Sequence, residues 1–181
     1  VGYASLGAET TGANNTAIGT YTLFTQNHTS GENVKNTGVG YQAGYAMTSG
    51  VQNTIVGAYA GDALTDADYN VALGVDALTA DTLGSKSTAI GYQALHSQNF
   101  TTATDSLNTA VGYQAGTNVT TGIDNVLIGT GWADAMTDAD YNTAVGAYSL
   151  SGDTMGSKST AIGFGALSTQ NFSTATDSHN T

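Results

Sequence analysis

The sequence predicts an all-β protein, a parallel β-solenoid with one coil per 17- or 21-residue repeat, and three observations predict it. A five-residue motif returns along the chain as Asn15-Thr16-Ala17-Ile18-Gly19, Asn36 to Gly40, Asn53 to Gly57, Asn70 to Gly74, Ser87 to Gly91, Asn108 to Gly112, Asn125 to Gly129, Asn142 to Gly146 and Ser159 to Gly163. Counted from Gly2, the motif glycines are evenly spaced except between Gly19 and Gly40 and between Gly91 and Gly112, where the unit is longer. The composition has 24 glycines and no proline, and Thr, Asn, Ser and Ala supply most of the rest. A fixed-period repeat decides architecture before any single residue does. A unit of this length is too short for a β–α–β crossover, but it suits one coil that buries its apolar side only by stacking on its neighbours.

Four units make a longer, 72-residue repeat. Asp62 to Asn70 matches Asp134 to Asn142, Gly84 to Gly91 matches Gly156 to Gly163, and Gln98-Asn99-Phe100 matches Gln170-Asn171-Phe172. Residues 1–181 are therefore a single repeat array of about ten coils, a rod about 50 Å long at the spacing of adjacent strands. The array begins and ends within a repeat and carries no polar end caps, so it reads as a fragment of a longer chain.

Each unit reads as a short strand, a glycine and a second short segment. Alternation puts Thr16 and Ile18 on one face and Ala17 and Gly19 on the other, and the Ile/Val/Leu position is expected to face a core. The small face admits two readings, a thin interior or an interface between identical chains. The Asn at each unit's head is expected to stack as a ladder, weakened at Ser87 and Ser159. Three positions after the glycine a small residue recurs, as in Ala43, Ala60, Ala77 and Ala94, with Trp132 the exception. The extra residues of the longer units fall around 26–35 and 98–107, with 170–179 opening a third such stretch. Insertions at one phase of a repeat usually share a face, often the binding face.

Charge narrows the function classes. Leu, Ile, Val and Phe together make up under a fifth of the chain and the net charge is −11, values that alone suggest disorder. The fixed placement of the apolar residues overrules them. Three lysines and no arginine stand against fourteen Asp and Glu, which removes the basic patch a nucleic acid needs and disfavours anionic membranes. No apolar run approaches a membrane span of about 20 residues. With no cysteine, disulfides play no part.

Few residues suggest chemistry. Asp62, Asp66 and Asp68, repeated as Asp134, Asp138 and Asp140, are a candidate Ca²⁺ set. Their spacing is not that of an EF-hand, and turn carboxylates capping backbone N–H groups are the plainer reading. Copying with the scaffold also argues against a glycosidase pair. The chain has no Ser/His/Asp or Cys/His arrangement, so no catalytic residue and no cofactor are expected. His28, Phe100, Phe172 and Trp132 are candidate ligand contacts, because aromatics on projecting loops can stack on sugars or grip a partner. For the two phenylalanines the rival reading is that they fold back over the rod.

The motif Asn-Thr-Ala-Ile-Gly-Tyr-x-Ala-Leu/Gly resembles the head repeats of trimeric autotransporter adhesins (the YadA type) and related repeats of bacteriophage tail fibres. The resemblance covers essentially the whole chain, though adhesin coils are shorter. It implies a left-handed parallel β-roll, a homotrimer, and a role in surface attachment. The expected function is thus a structural or adhesive fibre segment, extracellular, at a cell surface or on a virion. Its partners would be copies of itself and a surface glycan or protein receptor. A monomeric solenoid joined end to end into a filament is the main alternative. An ice-binding solenoid is a weaker one, because Thr shares the face assigned to the buried Ile.

Overall fold

The structure, a computed structural model, describes residues 1–29, 33–130 and 135–181. Thirteen short strands follow in order: β1 Thr16–Ile18, β2 Thr37–Val39, β3 Thr54–Val56, β4 Val71–Leu73, β5 Gly84–Ser85, β6 Thr88–Ile90, β7 Thr104–Asp105, β8 Thr109–Val111, β9 Val126–Ile128, β10 Thr143–Val145, β11 Gly156–Ser157, β12 Thr160–Ile162 and β13 Thr176–Asp177. The motif strands β1, β2, β3, β4, β6, β8, β9, β10 and β12 form one nine-stranded parallel sheet in chain order. Every neighbour is in register, as in Thr54↔Val71, Ile55↔Ala72 and Val56↔Leu73. Two small parallel pairs, β5–β7 and β11–β13, mark where the longer coils lie on their predecessors. The chain is a parallel β-solenoid of about nine turns, with no helix among the described residues.

The corners sit at fixed phases and are left-handed. They fall on the residue before the motif Asn (Gln52 φ 58°, Tyr69 φ 61°, Lys86 φ 64°) and on the second and fourth residues after the motif Gly (Gln93 φ 54°, Leu95 φ 49°). Each non-glycine residue there costs about 1–2 kcal/mol, which stacking must offset. The motif glycine is required for a different reason. A Cβ on Gly57, at φ 140°, would sit well inside van der Waals contact of the Gly74 carbonyl oxygen. The same clash recurs at successive motif glycines, so these are positions of close backbone approach from coil to coil.

The interior corrects the facing expected from the pattern. The central strand residue points inward, so Ala17, Ala72, Ala89, Ala110, Ala144 and Ala161 are buried together with Ile55 and Leu127. The Ile/Val/Leu position points outward instead: Ile18 is 47 %, Leu73 43 % and Ile162 69 % exposed. The cause is volume. Leu23, Leu78, Leu95 and Leu150 enter from the opposite wall and are fully buried, leaving room for only a methyl on most strands. Where the strand carries a large residue, the opposite wall gives way. Gly61 stands opposite Ile55, and a Cβ there would meet the Ile55 Cδ1 at 3.3 Å. The face of small residues is thus the thin interior rather than an interface.

The Asn ladder is present. The Asn36 side-chain oxygen accepts the Asn53 N–H at 2.8 Å, that of Asn53 accepts the Asn70 N–H at 2.8 Å, and that of Asn125 accepts the Asn142 N–H at 2.9 Å. The Asn53 amide nitrogen donates to the Ala67 carbonyl across the interior at 2.7 Å. Buried amides are satisfied this way at a net gain of about 1 kcal/mol per bond. At Ser87 the ladder passes instead through Ser106, Oγ to Oγ 2.7 Å.

Candidate interaction face and insertion clamps

Three parallel rows cross the outside of the sheet. The first is threonine, at seven of nine strand starts, with Val71 and Val126 as the exceptions. The second is the aliphatic row, Ile18 through Ile162. The third lies just past the motif glycine and is rich in aromatics: Tyr41 meets Tyr59 edge to face at 5.3 Å between ring centroids, Tyr92 stacks on Tyr113 at 5.3 Å, and Tyr148 meets Phe164 at 5.7 Å. No acid or lysine occupies an outward position on this sheet's strands, in a chain of net charge −11. Contiguous exposed apolar surface of this kind marks an interaction face.

The insertions are fastened by buried acids. Asp81 accepts the N–H groups of Gly84 at 3.1 Å and Phe100 at 3.0 Å on one oxygen, and the Gln98 amide at 2.6 Å on the other. Gln98 in turn accepts from Asn108 at 2.8 Å. Asp153, Gly156, Gln170 and Phe172 repeat the arrangement. In the first copy Glu9 accepts from Gly12 at 2.7 Å, Gln26 at 2.8 Å and the His28 Nδ1 at 3.1 Å, while His28 Nε2 donates to the Ser49 carbonyl at 3.0 Å. Burial, the main influence, pushes the Asp81 carboxyl up. At Glu9 burial acts in the same direction, but the bonds from Gln26, Gly12 and His28 together prevail and hold it at about 2.

These clamps relocate the proposed contacts. His28 and Phe100 are buried, at 4 % and 6 % exposed, and Phe172 is half-buried. The Phe100 ring lies over Gly84 and the Phe172 ring over Gly156, where an added Cβ would meet them at 2.9 Å and 2.8 Å. The rings fold back over the rod and plug the insertion, because the acid that anchors their own N–H groups pulls them in. Trp132 lies outside the described residues.

The aspartate set is dispersed into turn contacts. Asp62 accepts from the Thr79 hydroxyl at 2.5 Å, Asp66 from Ser49 at 2.7 Å and Asp68 from the Val51 N–H at 2.8 Å. Asp138 and Asp140 repeat the last two with Thr121 and Ile123, while Asp134 lies outside the described residues. Burial, with the Asp76 charge nearby, pushes the Asp62 carboxyl up against its hydrogen bonds. Among the described residues no three His, Asp or Glu side chains converge as metal ligands. Asp66 and Asp68 line an open groove with Ser85, Thr104 and Asp105, and Asp105 pairs with Lys86 at 2.5 Å.

Sequence reading missed Glu9, Asp81 and Asp153, although they recur at one phase of the long repeat, as do Gln26, Gln98 and Gln170, and that shared phase was the available signal. No protein-family model matches this chain, and neither the curated proteins nor the solved structures include one significantly similar to it.

Proposed function

We propose that the chain is a stiff segment of a fibre that attaches one surface to another, outside a cell or on a virion. Three copies pack side by side along the outward strand face, in the left-handed β-roll that the motif's resemblance implies. The observation that carries this reading is the uncharged aliphatic row along all nine stacked strands, which a single chain leaves in water. The rod is a spacer and a display surface, and it performs no reaction.

Sedimentation equilibrium tests the reading. The expected mass is three times that of the 18.2 kDa chain, falling to one chain when Ile90→Lys and Ile128→Lys charge the row. A single-chain mass for the parent protein sinks the trimer and favours the end-to-end filament.

A second reading gains support from a specific observation. Thr and the aliphatics share an outward face, which removes the objection to an ice-binding solenoid. A monomer with thermal hysteresis that disappears in Thr88→Lys would establish it.

A further inference from the structure

One phase of the coil separates the long coils from the short ones. All seven short coils carry Thr there, as at Thr48, Thr65 and Thr120, and Gly or Ala two residues further on. This Thr ties one coil to the next. The Thr48 hydroxyl donates to the Thr65 carbonyl at 3.2 Å, Thr65 to Thr82 at 3.0 Å and Thr120 to Thr137 at 2.9 Å. In the long coils the same phase holds Asn27, Asn99 and Asn171, and two residues further on stand Thr29, Thr101 and Ser173. Both changes occur together in all three long coils and in no short one. The residue between them varies, as His28, Phe100 or Phe172.

The asparagine serves the scaffold less well than the threonine it replaces. The Asn99 N–H still donates to the Thr120 carbonyl at 2.9 Å, as the Thr48 N–H does to the Thr65 carbonyl. Its side chain adds no bond to the coil ahead. The Asn99 Oδ1 accepts only from the Thr82 hydroxyl behind it, at 3.2 Å, as Asn27 accepts from Thr10 at 3.0 Å and Asn171 from Thr154 at 3.3 Å. Among the described residues the three Nδ2 groups meet no acceptor. The three asparagines and the hydroxyl residues beyond them are exposed, and none lies on a strand of the nine-stranded sheet.

Stacking does not call for this pair of residues. Asn-x-Thr/Ser is the acceptor sequence for N-linked glycans, which need an exposed loop. The two other such triplets begin at Asn14, whose Nδ2 donates to Asn33 at 2.6 Å, and at Asn118, and neither lies at this phase. We propose that Asn27, Asn99 and Asn171 carry N-linked glycans, set four coil rises or about 19 Å apart along one side of the rod. The donor class is a lipid-linked glycosyl diphosphate, met during export. Nδ2 bonds to the anomeric carbon of the sugar, the bond from that carbon to the diphosphate breaks, and the amide proton passes to a base of the transferase. The inference rests on the extracellular role proposed above.

Secretion of the full chain from a host with lipid-linked N-glycosylation tests it. Peptide N-glycosidase in heavy-oxygen water converts each occupied asparagine to a labelled aspartate, which peptide mass spectrometry reads. Asn27, Asn99 and Asn171 are expected to be occupied in most molecules. Thr101→Ala should abolish the glycan at Asn99 and leave the other two. Asn99→Thr, in chain made without glycosylation, should melt at or above the parent's temperature, because it restores the ladder residue. A lower melting temperature makes Asn99 a scaffold residue and overturns the proposal. Empty asparagines at the shared phase also overturn it, with or without glycans at Asn14 or Asn118. The sedimentation mass is read separately, on unglycosylated chain. A trimer with empty sites keeps the fibre and discards the glycans, and a monomer with occupied sites does the reverse.

Discussion

Glu9 and Asp81 occupy the same phase of the long repeat, yet their carboxyls shift in opposite directions. Asp81 faces a phenylalanine and is dominated by burial; Glu9 faces His28 and receives more donors. A carboxyl depressed to about 2 binds fewer protons than its unfolded counterpart below its ordinary value of 4.5. Its stabilisation is therefore complete above that value and is lost as pH falls through about 2. The stability gap between the parent and Glu9→Gln, from urea melts, should narrow across that window, and a constant gap would deny Glu9 a titrating role. Asp81 has the reverse sign: its contribution is complete below the ordinary carboxyl value and is lost as pH rises through the raised one. None of this was visible as chemistry in the sequence. An isolated Glu or Asp in a Thr-rich turn looks solvated, and only the fold places Gln26 and His28, from the next coil, against it.

At the scale of the coil, the pattern predicted more. Strand position, the Asn ladder, the parallel stacking and the insertion sites were all legible, because each follows from period alone. The facing was not. Period two assigns Thr16 with Ile18 and Ala17 with Gly19 but is silent on which pair is inside. The usual rule that large apolar residues go inward fails when the opposite wall already fills the space with leucine. Left-handed corners were hidden as well, because Leu95, Gln93 and Tyr69 occupy them where glycine or asparagine would have announced a turn. The motif glycine can be tested against a glycine that only turns. Gly57→Ala meets the Gly74 carbonyl and should cost about 3 kcal/mol or more. Gly165→Ala, whose Cβ meets nothing closer than 3.9 Å, should cost about 1–2 kcal/mol for its left-handed φ alone. Equal losses in thermal melts would show that the close approach between coils carries no special penalty.

For the whole molecule, each coil touches only the coils before and after it, and its backbone N–H groups point along the rod. Leu23 donates to Ala43, Thr48 to Thr65 and Leu78 to Ala94. A pull on the two ends therefore loads these bonds lengthwise, and one interface yields at a time, like a zip opened from its end. Each released coil should pay out its contour length less one rise, about 55 Å for a short coil and about 70 Å for a long one. In an optical trap the extension should lengthen in a fixed rhythm of three short steps and one long one, and a single all-at-once rupture would contradict it. A rod built this way yields coil by coil under sudden load, and it rewinds when the load falls, because each freed coil finds its template in the last one still folded.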